Sequence, residues 1–285
     1  MSLCFFVSDL HGSAARVEKL FSLILASRPD LVFLGGDILP FGGMHPGVGG
    51  PARPFISGCL AEGFGSLRRR MNKYPLVALI LGNDDPRSEE HALEEGERSG
   101  LWRYLHNRKI GFGRHTLYGY ACIPPSPYLL KDWERYDVSR FVDVGAVSPV
   151  SGFRSVPVRP EESTGTTIQD ELEALSEEDD LSRAVFLFHA PPYGSDLDRA
   201  DLEGKMVDAA PLDKHIGSIA VRRFIERRQP YLTLHGHAHE SARLSGHWRQ
   251  RIGRTWCIGG AHDGPELAVV RFPLEDAGAA ERLLL

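Results

Sequence analysis

Leu3-Cys4-Phe5-Phe6-Val7-Ser8-Asp9-Leu10-His11-Gly12 joins a run of five apolar residues to a carboxylate and an imidazole with almost nothing between them. An apolar run of this length with no polar alternation reads as a strand buried on both faces. The same phrase returns four times. Residues 31–34 run into Gly35-Gly36-Asp37, and 76–81 into Gly82-Asn83-Asp84-Asp85. Residues 184–188 meet His189-Ala190-Pro191-Pro192, and 231–234 meet His235-Gly236-His237-Ala238-His239.

Between the first two runs, Val17, Leu20, Phe21, Ile24 and Leu25 recur at helical spacing and Pro29 closes the segment, which predicts a helix over 13–27 and a βαβ unit. Residues 66–73 and 216–228 also read as helices, and 267–272 as a further strand. Helices alternating with buried strands predict an α/β architecture. Sites in open α/β sheets gather outside the carboxyl ends of the strands, where all five polar clusters fall. A Gly/Pro-rich stretch at 40–65 reads as a loop insertion, either a lid or simple disorder, and the acidic segment 161–182 as an exposed amphipathic helix. The expectation is one domain over 1–285.

The chain has 285 residues, 42% hydrophobic and 25% charged, with a net charge of −5, so there is no global basic field to draw it onto nucleic acid or an anionic membrane. Cys4, Cys59, Cys122 and Cys257 are far apart and form no CxxC pair, so neither a zinc knuckle nor a disulfide framework is suggested, and they read as reduced structural thiols. The N-terminus meets Asp9 before any leader-length apolar run is complete, and no stretch is long enough to span a bilayer; both favour the cytoplasm.

Side chains two apart in an extended segment share a face, so the spacing lets Asp9 and His11 converge, and likewise His237 and His239. Imidazoles mixed with carboxylates and an amide oxygen suit Mn, Fe, Zn, Co or Ni. Without thiolates, a catalytic metal is favoured over a structural one.

Taken in order, Asp9-Leu10-His11, Gly36-Asp37, Gly82-Asn83-Asp84-Asp85, His189 and Gly236-His237-Ala238-His239 resemble the five motif blocks of the calcineurin-like metallophosphoesterases. The resemblance extends from residue 3 to about 272, with looser similarity to the small bacterial and archaeal phosphohydrolases in 119–134, 189–193 and 217–230. It implies two facing mixed β-sheets flanked by helices, with two divalent transition metal ions at the strand ends. One ion would take Asp9, His11, Asp37 and His239. The other would take Asp37, Asn83, His189 and His237, so that Asp37 bridges. Such ions, about 3.5–4 Å apart, would activate a hydroxide for in-line attack on a small phosphorylated substrate.

One position departs from that pattern. Asp84 stands where the third block of the family carries a histidine that protonates the leaving oxygen. Asp84 could replace it as an acid only if burial or Asp85 raised its pKa. Ionised, it would repel a monoester, with about −1.5 to −2 charges, more than a diester with about one. The expected activity is therefore phosphodiester hydrolysis, with Asp84 and Asn83 as catalytic residues. A phosphomonoesterase, a nuclease and a non-catalytic scaffold for protein partners are the alternatives.

Other residues have two readings. His235 could support the metals, pack within its strand or pair with a carboxylate. His45, Arg53, Tyr193 and His262 could touch substrate or be ordinary loop residues. Arg68-Arg69-Arg70 with Lys73 reads as a solvated helix face. Trp133 and Tyr128, beside Pro124-Pro125 and Pro127, could wall a base-binding pocket or pack their loop onto the body.

Overall fold

A computed structural model describes residues 1–40, 54–158 and 166–285. The first apolar run is β1 (Leu3–Val7), followed by α1 (Ala14–Ser27) and β2 (Leu31–Gly35). Ser13 caps α1 by accepting the Arg16 N–H, and Arg28, in a left-handed conformation, ends it just before Pro29. Next come α2 (Glu62–Arg70), entered through a π-helical segment Phe55–Ala61, then β3 (Leu76–Ile80), α3 (Glu90–Arg98) and β4 (Arg103–Tyr104).

The second half contains β5 (Arg108–Phe112), β6 (His115–Tyr120), α4 (Ile168–Ser176) and β7 (Ala184–Phe188). A small hairpin of β8 (Met206–Val207) and β9 (Ala210–Pro211) precedes α5 (Ile219–Arg228) and β10 (Leu232–His235). The short helix α6 (Ser241–Ser245), β11 (Arg249–Ile252), β12 (Thr255–Gly259), β13 (Ala268–Pro273) and β14 (Glu281–Leu284) complete the chain.

Two six-stranded sheets form, in the orders β14-β13-β1-β2-β3-β4 and β11-β12-β10-β7-β6-β5. In the first, β1 to β4 are parallel, β13 is antiparallel to β1, and β14 is antiparallel to β13 and so runs in the same direction as β1. In the second, β6, β7, β10 and β12 are parallel, with antiparallel β5 and β11 at the edges. The sheets face each other where β2 and β3 meet β6 and β7. One face of each inner strand therefore meets the opposite sheet, and the other is covered by helices such as α1 and α5. That is why β2 and β7 are buried along their whole length and their sequences show no alternation.

Two sequence boundaries shift. The expected helix over 66–73 starts earlier, because 55–65 is helical and not part of a loop. Its apolar face, with Ile56, Leu60, Phe64 and Leu67, is obscured in the sequence by Gly58, Gly63 and Gly65. Gly63 is required by packing: a Cβ there would lie 2.0 Å from the Phe21 ring of α1. The rest of the expected insertion, including His45 and Arg53, falls within 41–53, outside the described residues. Within the acidic segment the helix is α4, capped reciprocally by Thr167 and Asp170. Among the described residues no helix is long and apolar enough to cross a membrane.

Candidate metal centre

Beyond their last strand residues, β1 and β2 remain in register. The amides of Asp9 and His11 donate to the carbonyls of Gly36 and Asp37 (3.0 and 2.8 Å), and Gly236 donates to His189 across the second sheet (3.0 Å). These ladders bring the polar ends of β1, β2, β3, β7 and β10 to one place.

The backbone there is not extended. Asp9, His11, Asp37 and His237 have φ of 57°, 46°, 49° and 72°. Strand alternation therefore does not bring Asp9 and His11 together, contrary to the reading from spacing; tight left-handed turns do. Each such residue costs about 1–3 kcal/mol, which persists only where surrounding structure imposes it, and such strain clusters at functional sites. Gly82 is part of that constraint, since a Cβ would fall 2.3 Å from the Asp37 carboxylate.

One ligand atom each from Asp9, His11, Asp37 and His239 lie within 4.8 Å of one another, a group able to hold a metal ion. His11 Nε2 is 3.1 Å from His239 Nε2, which is 3.2 Å from Asp9 Oδ1. Beside this group His189 Nε2 lies 3.2 Å from Asp37 Oδ2 and 3.1 Å from Asn83 Oδ1. The His189 and His237 rings are 5.3 Å apart. All seven residues expected to gather therefore lie along one line of contacts with Asp37 in the middle.

Several hydrogen bonds fix how these side chains present their donor atoms. His189 Nδ1 is 2.8 Å from the Gly35 carbonyl and donates to it, which fixes Nε2 as the nitrogen facing Asp37 and Asn83. The Asn83 amide nitrogen donates to Asp84 Oδ1 (2.9 Å), which turns its oxygen inward. Asp37 Oδ1 accepts the Asp84 amide (2.8 Å). Asp9 Oδ2 is buried with no hydrogen-bond partner. An unpaired buried carboxylate oxygen on a residue whose other oxygen meets His239 Nε2, with His11 Nε2 and His239 Nε2 facing each other at 3.1 Å, fits a cation held by this group.

The electrostatics agree. Burial alone would lower the pKa of His189, but the charge of Asp37 and a hydrogen bond to it raise it to about 10; Asp9 likewise overrides burial at His239 and raises it to about 9. Both carboxyls lie below their usual range despite burial, Asp9 through His239 and Asp37 through His189. The cage thus favours positive charge. His237, buried beside the His189 cation, drops to about 3 and presents a neutral ring.

Exposure divides the centre into a floor and a mouth. The side chains of Asp9, Asp37 and His189 are 1%, 2% and 0% exposed, whereas His11, Asp84 and His239 reach 24%, 16% and 34%. Asp84 thus lies on the open side, its Oδ2 3.6 Å from His11 Nδ1. Burial, then Asp37, then Asp85 push its carboxyl up to about 8.

Two supports escaped the sequence reading. The Asp85 carboxylate is fully buried and accepts the amides of Ile38, Leu39 and Gly82 (3.1, 2.8 and 2.9 Å), tying the turn after β2 to the turn after β3. Arg16 of α1 donates to the Asp9 carbonyl (3.0 Å) and to the Gly264 carbonyl. Its sequence signal is only its place in the first turn of a helix that follows the Asp9-to-His11 loop.

The ambiguous residues separate. His235 is buried, with Nδ1 2.9 Å from the Ala190 carbonyl and Nε2 2.8 Å from Thr233 Oγ1, stacked on Phe188; both nitrogens are occupied away from the cage. Tyr193 donates to Asp213, and His262 Nε2 is 3.1 Å from Glu266. Arg68 binds the carbonyls of Ser99 and Gly100 at the end of α3, and Lys73 pairs with Asp30. Trp133 is buried with its indole N–H on the Asp85 carbonyl (2.7 Å), so it packs its loop onto the body and walls no pocket.

In comparisons with solved structures, a Thermus thermophilus protein, TT1561, is similar at a TM-score of 0.55 with 17% identity, covering 99% of this chain and 98% of that one. A dimetal phosphatase from Danio rerio, LOC 393393, is similar at a TM-score of 0.50 with 11% identity, covering 95% and 91%. At such identities the likeness shows the fold. No curated protein matches the chain in sequence. A profile of the calcineurin-like phosphoesterases matches residues 4–241, from β1 through the last histidine of the cage, and by that match the chain belongs to the calcineurin-like phosphoesterase family.

Proposed function

We propose that this chain is a dinuclear-metal-dependent hydrolase of a small phosphodiester. The observation carrying the metal reading is the buried, unpaired Asp9 oxygen within a convergent set of carboxylates and imidazoles. Asp9, His11, Asp37 and His239 would hold one ion, and Asp37, Asn83, His189 and His237 the other. Mn, Fe, Zn, Co and Ni all suit this donor set. Bound there, two divalent ions would polarise the phosphoryl oxygens and balance the charge of an in-line transition state.

The chain's own residues do the rest. Asp37, in contact with both groups, sets their separation. The Gly35 carbonyl holds the His189 tautomer, and Asp84 holds the Asn83 rotamer. Asp84 faces the open side, where a leaving oxygen would depart, and its raised pKa suits proton donation. Cations in the cage would draw that pKa down again. In either state Asp84 offers no positive charge where an imidazolium would. That absence penalises a dianionic monoester more than a monoanionic diester, which supports the diester reading.

The test compares the Mn²⁺-loaded protein on bis(4-nitrophenyl) phosphate and 4-nitrophenyl phosphate; a higher kcat/KM for the monoester refutes the diester assignment. Asp37→Asn is expected to abolish both metal binding and turnover. Purified protein without transition metal, together with an Asp37→Asn variant changed in neither metal content nor activity, would return the protein to the scaffold reading. The net charge of −5 supports a small phosphorylated molecule, and not nucleic acid, as the partner of this site.

A further inference from the structure

Most large apolar side chains of this protein are buried, yet Tyr128, Leu129 and Phe153 are 55%, 57% and 40% exposed and belong neither to the core nor to the apolar residues packed around it. They sit together. Phe153 N donates to the Leu129 carbonyl (2.8 Å) and Lys131 N to the Phe153 carbonyl (2.8 Å), making a small backbone clasp.

That clasp is held rigidly against the metal centre. Trp133 joins it to the Asn83-Asp84-Asp85 turn through the Asp85 carbonyl. A buried Lys131–Glu134 ion pair fixes the bend, with Glu134 accepting both the amide and the hydroxyl of Ser126, and Ser126 Oγ accepting the Tyr128 amide (3.2 Å). β6 runs parallel to β7 with Tyr120 paired to Phe188, and the His189 amide donates to the Tyr120 carbonyl (3.1 Å), so the segment carrying Tyr128 leaves the second sheet at the end where the metal ligands gather. The cage itself is wholly polar, so it can grip a phosphoryl group but cannot distinguish one ester substituent from another. A rigid apolar surface at its mouth can.

We propose that Tyr128, flanked by Leu129 and Phe153, is a specificity-determining wall that selects phosphoesters carrying an aromatic or bulky aliphatic ester group. The inference rests on the phosphoesterase reading of the metal centre and adds the class of substrate. Stacking on Tyr128 is expected to give on the order of tenfold preference for a phenyl over a methyl substituent.

Because a C–P bond is not hydrolysed, phenylphosphonate and methylphosphonate report on the wall independently of turnover. Calorimetry on the Mn²⁺-loaded protein should show phenylphosphonate binding about tenfold more tightly. Tyr128→Ala should reduce that ratio to about threefold or less, while Tyr128→Phe preserves it, the ring being kept. The ring is largely outside the core, so its removal leaves the fold intact, and Leu129→Ser serves as a second variant that should lower the ratio to a smaller extent. Equal affinity of the two phosphonates for the native protein, binding of neither, or a ratio unchanged in Tyr128→Ala would overturn the proposal. If the ratio behaves as expected while 4-nitrophenyl phosphate is turned over better than its diester, the wall stands and the diester assignment falls.

Discussion

Asp85 provides the sharpest quantitative test, because its carboxylate makes its hydrogen bonds to backbone and all of them are buried. Ile38 and Gly82 donate to Oδ2 and Leu39 to Oδ1. Asp85→Ala leaves three buried N–H groups without an acceptor, at about 1–3 kcal/mol each. Allowing some relaxation of the turn, the loss should be about 4–6 kcal/mol, comparable with the whole stability of a marginal domain. Asp85→Asn can keep its oxygen on two of the donors but turns its own N–H₂ toward the third, so it should cost about 1–3 kcal/mol. Urea denaturation of the metal-free protein measures both. Calorimetry with Mn²⁺ then reads the second consequence, since Asp37 precedes Ile38 and Asn83 follows Gly82: the folded Asn variant should bind Mn²⁺ at least about tenfold more weakly. An Ala variant within about 1 kcal/mol of the native protein, or Asn and Ala variants of equal cost, would show that acceptor count is not what holds these turns together.

Gly82→Ala should lose about a hundredfold or more in Mn²⁺ affinity by metal titration and also lose stability in denaturant, because its Cβ would lie 2.3 Å from the Asp37 carboxylate, 2.5 Å from the Asp37 backbone nitrogen and 2.7 Å from the His189 ring. His235→Phe should lower stability by about 1–3 kcal/mol in denaturant, for the lost bonds to Ala190 and Thr233, yet leave Mn²⁺ affinity within about twofold, as no nitrogen of His235 faces the cage. His106, half-buried and desolvated, with Arg135, Arg87 and Arg108 nearby, is lowered to about 3, and its Nδ1 accepts the Ala121 amide. The unfolded chain therefore binds one more proton between about pH 6.5 and 3, and this residue's contribution to stability falls by about 1.4 kcal/mol per unit of acidification across that window. By NMR its ring should stay neutral down to about pH 4 while the protein is folded.

What the sequence revealed follows from where each element is buried. Inner parallel strands such as β2 and β7 are covered on both faces, so they read as unbroken apolar runs, and the polar residues that stop them mark the site. Edge elements left no such trace. β5 is mostly exposed, β11 reads Arg249-Gln250-Arg251-Ile252, and α3 is largely charged, each packing too few residues to imprint a period. The cage residues were legible as a set, but their means of convergence was not: Asp9, His11, Asp37 and His237 adopt left-handed turns with side chains that carry no glycine signature. Asp85 was legible only as a charge beside Asp84. Its three backbone partners come from two turns, Ile38 and Leu39 lying 47 and 46 residues away in the chain, and no local pattern announces them.

The division of the centre into floor and mouth explains why Asp84 can differ from the histidine that the family resemblance leads one to expect. At the floor, Asp9, Asp37, His189 and Asp85 have their side chains bound into the turns, so a change there disturbs ligands and fold together. At position 84 the structural work is done by the backbone, whose amide holds Asp37, while the side chain faces the mouth and touches Asn83. Any residue able to keep that amide in place satisfies the fold. Its side chain steadies the Asn83 amide and, on the proposed reading, sets the charge presented to the phosphoryl group and the proton available to a leaving oxygen. Asp84, partly exposed at the mouth, is thus a position whose charge can change while the backbone that holds Asp37 stays in place.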